Sequence, residues 1–205
     1  IGGRTRLDVA REILLADVAR WKPGASVALV AYGHRRMGDC GDIETMSQPA
    51  PVQMDSLKAA LARLRARGKT PLSGALRHAA GLLPQEGGNI LLLSDGAETC
   101  HEDPCEVARA LHAANANVFI HVIGFGLTDA ESQALSCIAE AGGGLMRTAA
   151  GAGELQDAVA AFSASSGVTD SELEPKPEVP QSTGPQLVPE AAGPVVIPEP
   201  VSAPL

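Results

Sequence analysis

Residues 89–100 of this 205-residue chain read NILLLSDGAETC. The four aliphatic residues Ile90–Leu93 are too short a run for an ordinary helix, and they predict a strand buried on both faces, as in a parallel sheet covered by helices. The strand ends at Ser94-Asp95-Gly96, where Gly96 permits a sharp turn. Because ligands of open α/β sheets bind at the carboxyl ends of the strands, Asp95 is a candidate functional residue. The alternative is that Asp95 only caps the following turn.

Outward from this strand, apolar strands and amphipathic helices alternate along the chain. We predict strands at 26–32, 89–94, 117–124 and 145–148, a short edge strand at 42–46, and helices at 4–20, 54–64, 70–83, 104–114, 129–141 and 154–163. Thr70 suits the N-cap of its helix and Pro71 the first helical position. The alternation predicts an α/β fold, with a doubly wound, mostly parallel sheet and helices on both faces.

A change of composition divides the chain after about residue 166. Residues 1–166 form the predicted domain, and 167–205 form a predicted disordered linker or tail, because nine of the fifteen prolines lie in 168–205. That segment has six acidic residues and one basic residue, a net −5 of the total −8. The near-neutral remainder argues against nucleic-acid binding. No apolar run approaches the roughly 20 residues of a membrane span.

Two further patterns are weaker than they first look. Gly68-Lys69-Thr70 ends like a nucleotide-binding loop, but that loop needs a glycine where this chain has Arg63. A group of thiols, imidazoles and a carboxylate could suggest zinc, but its spacing matches no standard site: Cys100, His101, Asp103, Cys105 and His112. His121 lies in a predicted buried strand and is expected to be a satisfied structural residue. With no nucleophile, base or cofactor loop in evidence, we expect a protein that is not an enzyme.

The four cysteines, Cys40, Cys100, Cys105 and Cys137, all fall at predicted loops or element ends. That placement favours an oxidising compartment. We expect a local disulfide between Cys100 and Cys105, which would leave Cys40 and Cys137 as a second possible pair. Four cysteines allow three pairings, so the connectivity stays open.

Thr70 and Asp95 fall on the same predicted rim of the sheet, since one precedes a helix and the other follows a strand. A hydroxyl and a carboxylate are hard oxygen ligands of the kind that Mg²⁺ or Mn²⁺ prefers. The spacing therefore indicates a divalent-metal site.

Three segments in combination resemble the von Willebrand factor type A (VWA) domain. They are GKTPLSGAL at 68–76, similar to the family's GxTPLxxAL segment, LLLSDGAE at 91–98, similar to its fourth strand, and HVIGFG at 121–126, similar to its fifth. The resemblance covers about residues 1–165. Two extra features, GHRRMGDCGDIE and SDGAETCHEDPC, resemble a bacterial group of these domains that are usually exported.

The resemblance implies a sheet of strand order 3-2-1-4-5-6 and a metal-ion-dependent adhesion site (MIDAS) on its carboxyl rim. That site uses a DxSxS motif after the first strand, a threonine matched here by Thr70 and an aspartate matched by Asp95. This chain has no DxSxS motif and no first strand. We therefore expect a domain incomplete at its N-terminus, in which the inner edges of the strands at 26–32 and 89–94 pair with each other, stay open or promote aggregation.

The function implied is a binding module, periplasmic, secreted or at the cell surface, that captures an acidic group of a protein partner. In the family, the partner's carboxylate completes the coordination of the metal. We expect Mg²⁺ or Mn²⁺ to bind the full-length protein, and to bind this chain weakly or not at all. The alternative is an intracellular assembly subunit that works beside an ATPase in metal insertion. The cysteines and the proline-rich tail argue against that alternative, and the oligomeric state is left open.

Overall fold

The computed structural model describes residues 3–169, so that the predicted tail lies outside the described residues from position 170 onward. Within this part the chain forms six helices and five strands. In chain order they are α1 (Arg6–Val18), β1 (Ser26–Tyr32), β2 (Ile43–Pro51), α2 (Met54–Arg63), α3 (Leu72–Ala80), β3 (Gly88–Ser94), α4 (Pro104–Ala114), β4 (Val118–Phe125), α5 (Asp129–Ala141), β5 (Gly143–Ala149) and α6 (Ala152–Ser165).

The strands form two sheets. β3, β4 and β5 are parallel neighbours in that order, whereas β1 pairs antiparallel with β2 in a separate two-stranded sheet. The predicted α/β class, with parallel strands and helices, is confirmed. Of the three outcomes considered for the inner edges of β1 and β3, the structure shows the open one, because no ladder joins these two strands.

The three-stranded sheet is covered on both faces. Alternate residues of β4 point to opposite sides: Ile120 and Val122 pack with α3, α4 and α5, while Ile123 and Phe125 pack with α1 and α6. The helices contribute mainly aliphatic side chains to these two clusters, among them Leu72, Leu76, Val107, Leu135 and Ile138 on the first face and Val9, Ile13, Leu155 and Val159 on the second. None of the helices in residues 3–169 is long and apolar enough to cross a membrane.

A third apolar cluster joins α1 and α2 to β1. Val18, Leu57 and Leu61 are buried there, and Leu29 of β1 and Trp21 are partly buried against them. Because α1 contributes to both this cluster and the core beneath β3–β5, it spans the two sheets.

A buried carboxylate fastens the end of α1 to α6. Asp17 is only 2% exposed. Its Oδ1 accepts from the Arg20 guanidinium at 2.6 Å, its Oδ2 from the Trp21 indole N–H at 3.0 Å, and the Ser163 hydroxyl also donates to Oδ2. A buried charge is tolerated only with such partners, so this contact requires α1 and α6 to be docked together.

Two predicted element boundaries are wrong. The helix expected from Thr70 begins at Leu72 with Pro71 as N-cap, because the backbone of Thr70 is held in a loop by Thr99. The edge strand expected at 42–46 extends over Ile43–Pro51, because it pairs with the whole of β1. Its prolines are tolerated because its other edge carries no neighbour.

Candidate functional site

The carboxyl ends of β1 and β3 lie at a common edge of the molecule, which we call the rim. It comprises segments 33–42, 67–71 and 94–100. Its first two segments touch through the backbone, since Gly33 O accepts from Gly68 N at 2.8 Å and from Arg67 N at 3.2 Å. Gly33 has φ +57°, and a Cβ there would lie 2.0 Å from the carbonyl oxygen of Lys69. Only glycine permits so close an approach.

Asp42 fixes the conformation of segment 33–42. Its side chain is fully buried and accepts from the backbone N–H groups of Arg35 and Arg36 at 2.7 and 2.8 Å, and from Arg35 Nε at 2.7 Å. Burial by itself would raise the pKa of Asp42, but the backbone donors of Arg36 and Arg35 and the Arg35 guanidinium hold it well below its usual range. The loop is thus built around an ionised carboxylate.

Thr70 is positioned by Thr99 of the neighbouring segment. Thr70 N donates to Thr99 Oγ1 at 2.7 Å, and Thr99 N donates to Thr70 O at 3.1 Å. The Lys69 ammonium donates to Thr99 O at 3.2 Å, so it is tied to the rim and not to a phosphate loop. The Thr70 hydroxyl makes no hydrogen bond within residues 3–169, and the residue is partly exposed. This hydroxyl is therefore free to bind a ligand.

Glu98 is a rim residue that sequence reasoning missed. Its carboxylate accepts from Ser73 N at 2.9 Å and from Cys100 N at 2.6 Å. Ser73 lies in the first turn of α3, where backbone N–H groups have no intrahelical partner, and the N-cap Pro71 has no side-chain oxygen to offer. Glu98 thus caps α3 from another loop, with its charge at the positive end of the helix. Its contact with Ser73 is 25 residues away in sequence, which no local pattern reveals.

Asp95 extends from the end of β3 with its side chain 65% exposed. Its nearest charge is the Arg6 guanidinium of α1, with Nη1 at 3.9 Å from Oδ2. The turn after β3 is closed by Ser94, whose hydroxyl donates to Gly96 O at 2.8 Å. Within the described residues Asp95 accepts no backbone hydrogen bond, so the alternative of a turn-capping Asp95 is wrong.

Tyr32 connects the two sheets at the rim. Its hydroxyl donates to Leu93 O at 3.0 Å, joining the carboxyl end of β1 to that of β3. Burial raises the pKa of Tyr32 to about 12, and the negative charges of Asp95 and Glu98 act in the same direction. The phenol is therefore a neutral donor over the whole range in which the protein would be studied.

The disulfides correct the expected pairing. Cys40 is bonded to Cys100, and Cys105 to Cys137, with Cα separations of 5.9 and 5.5 Å. The expected pairs, Cys100 with Cys105 and Cys40 with Cys137, are wrong because segment 33–42 folds onto the rim beside Cys100, while Cys105 on α4 faces α5. The first bond ties the β1–β2 loop to the loop after β3, and so fastens two parts of the rim.

The remaining candidates have structural roles. With all four thiols in disulfides, the grouping of cysteines and histidines considered for zinc does not form a site, and no cluster of three or more His, Cys, Asp or Glu suited to a metal occurs in residues 3–169. His121 contacts Asn89 Oδ1 through Nε2 and accepts from Leu145 N through Nδ1, both at 3.3 Å. It is a satisfied strand residue, as predicted, and burial lowers its pKa.

No protein-family model matches this chain. The Bacillus subtilis protein YwmD, itself uncharacterized, is 26% identical over 168 residues, which are 77% of this chain and 75% of that protein. The remaining comparisons concern three-dimensional structure.

Three solved structures have a similar fold. A von Willebrand factor type A protein from Catenulispora acidiphila is 23% identical with a TM-score of 0.64, over 80% of this chain and 38% of that one. Proximal thread matrix protein 1 of the mussel byssus, solved with a zinc-occupied MIDAS motif, is 19% identical with a TM-score of 0.57, over 76% and 40%. The SpRpn10 VWA domain is 15% identical with a TM-score of 0.57, over 76% and 82%. This chain spans about two fifths of the first two structures.

Proposed function

We propose that this chain, whose fold is that of a VWA domain, is a protein-interaction module that binds its partner at the rim. We further propose that Thr70 and Asp95 contribute two ligands to a divalent metal there, Mg²⁺ or Mn²⁺. The observation that carries the proposal is the pairing of a hydroxyl without a partner and an exposed carboxylate on one fastened rim.

The residues present suit such a metal in kind but not in number. Hydroxyl and carboxylate oxygens are the ligands that Mg²⁺ and Mn²⁺ favour. One of each leaves most of an octahedral shell to water, and the Arg6 guanidinium beside Asp95 adds a competing positive charge. We therefore propose that these 205 residues hold the metal weakly, and that the remaining ligands come from outside them.

The proposed partner is a protein that presents a carboxylate. An acidic side chain of the partner would occupy one of the positions that Thr70 and Asp95 leave open, and its charge would offset that of the metal. The zinc-occupied MIDAS motif of the mussel byssus protein supports a divalent ion on this fold. The partner itself is defined only by this chemistry.

The two disulfides support an extracytoplasmic location, in the periplasm, at the cell surface or outside the cell. The same bonds disfavour the alternative of an intracellular subunit that works with an ATPase, because cytosolic thiols are kept reduced.

The metal proposal is tested by titrating the ¹⁵N-labelled 205-residue chain with Mn²⁺ and following paramagnetic broadening of its amide signals. We expect broadening centred on residues 69–71 and 95–97, with a Kd on the order of 1 mM. Asp95→Asn and Thr70→Val, which preserve shape, should each weaken it. Asp55→Asn, at the exposed start of α2, is the matched control and should not. Broadening centred away from the rim would contradict the proposal, and so would submicromolar binding in calorimetry.

The partner chemistry is tested with two blocked tripeptides, Gly-Glu-Gly and Gly-Gln-Gly. We expect the glutamate peptide to increase the apparent Mn²⁺ affinity of the chain several-fold, and to have no such effect on Asp95→Asn. Equal effects of the two peptides would show that the rim does not recognise a carboxylate.

A further inference from the structure

We infer that the space between β1 and β3 is a binding site for one extended strand, which runs parallel to both and joins the two sheets into one. β1 is paired only with β2, and β3 only with β4, so each presents one edge without a strand neighbour. This inference depends on the two sheets and not on the proposed metal site.

The unpaired edges face each other across a narrow space. The carboxyl ends of both strands lie at the rim, and the Tyr32 hydroxyl reaches from one to the Leu93 carbonyl of the other. Adjacent strands of a sheet lie about 4.8 Å apart. A space that takes the length of a phenol side chain to cross therefore accommodates one further strand, whereas a second folded domain could not enter it.

The faces of this space are already covered. On one side α1 packs against Leu93 through the core beneath β3–β5, and against Leu29 of β1 through its last turn. On the other side Leu72 and Leu76 of α3 pack in the same cluster as Tyr32 and β3. A strand placed between these helices would contact apolar side chains above and below, so that its own residues must be apolar on both faces.

The burial of β1 shows what is missing beside it. Ala31 is the single fully buried residue of its seven, although the strand sequence SVALVAY is almost wholly apolar. In β4, which has a neighbour on each side, six of the eight residues are buried, and Ile120 and Val122 are at 0% exposure. A strand beside β1 would remove this apolar surface from water, at about 25 cal/mol per Å².

The direction of α1 identifies the occupant. Arg6, the first residue of α1, lies 3.9 Å from Asp95, so the helix starts at the rim. A strand parallel to β1 and β3 would end at that same rim and reach α1 by a short turn, as in ordinary strand–helix units. We assign the site to a segment of about seven apolar residues, joined to the amino-terminal side of α1 in the same polypeptide. It contains no proline, because a central strand donates hydrogen bonds on both edges.

The test uses a strand that this protein already buries. Residues 89–95, NILLLSD, are fused ahead of Ile1, and the matched control carries proline in place of the second leucine, NILPLSD. With NILLLSD we expect amide exchange in β1 and β3 to slow roughly tenfold or more, and the Tm to rise by about 5 °C or more. The proline control should behave as the unfused chain. Equal exchange in the two fusions would overturn the inference.

Light scattering distinguishes the source of the strand. We expect the NILLLSD fusion to be a monomer. A doubled mass would show that the segment enters a second copy, and would overturn the assignment to the same polypeptide. If the fusion fails to fold, the free peptide NILLLSD is added to the unfused chain, and the free NILPLSD peptide serves as its control. Protection of β1 and β3 by the first peptide alone supports the site, and protection by neither overturns it.

Discussion

Asp42 is the single acid on which the conformation of segment 33–42 depends most. Because its pKa is held below the usual value, its ionised form favours the folded state, fully so above the ordinary pKa of 3.8 and less as the pH falls below it. We predict that Asp42→Asn lowers the free energy of unfolding at neutral pH, and that the difference from the parent chain shrinks as the pH falls toward 3. Urea unfolding at several pH values measures this. A difference that stays constant with pH would contradict it, and Asp55→Asn should show no difference at any pH.

The rim residues differ in how far the sequence reveals them. Thr70 and Asp95 are found from local signals, one at a glycine- and proline-marked helix start and the other at the end of an aliphatic run. The partners that position them, Thr99 and Glu98, lie in an irregular loop and act through contacts more than twenty residues away in sequence. Their roles come from the tertiary fold, to which propensity and periodicity do not refer.

At the scale of elements, the two disulfides make a matched pair of experiments. Cys40–Cys100 closes a loop of sequence separation 60 between two rim segments, and Cys105–Cys137 closes one of 32 between α4 and α5. We predict that each double Cys→Ala variant loses about 2–4 kcal/mol of stability, mainly by loosening the unfolded chain's constraint. Only the Cys40/Cys100 variant should also speed amide exchange in segments 33–42 and 95–100. Unchanged exchange there would show that the rim is held without its disulfide.

Element boundaries could be predicted where the stop and start signals are local. α5 begins at Asp129 as expected, because Thr128 and Glu131 form a capping box, and β1 has the expected bounds because glycines and polar residues flank an apolar run. β2 was underestimated because IETMSQPAP has no alternating pattern, and its order comes from pairing with β1. Disulfide pairing depends likewise on which loops meet in space.

At the scale of the whole molecule, the two sheets should differ in local stability. A two-stranded ribbon is marginal by itself, whereas β3–β5 has a parallel ladder covered by helices on both faces. We predict that amides of β1 and β2 exchange faster than those of β4 in the unmodified chain, as measured by hydrogen exchange under native conditions. Equal protection of the two sheets would mean that they open as one unit. The α/β class itself was predictable from alternation, but the split into two sheets depends on what lies between them.

The contact of Asp17 with Ser163 has a consequence for the order in which the domain is completed during synthesis. The acid is made among the first residues and its hydroxyl donor 146 positions later. Until α6 has emerged, Asp17 lacks that donor and α1 lacks the helix beside which it packs. The segments from β3 to β5, by contrast, are consecutive in the chain and meet their neighbours soon after they are made. The ribosome therefore delivers the parallel unit ready to fold, and α1 waits for α6 before it can close over the sheet.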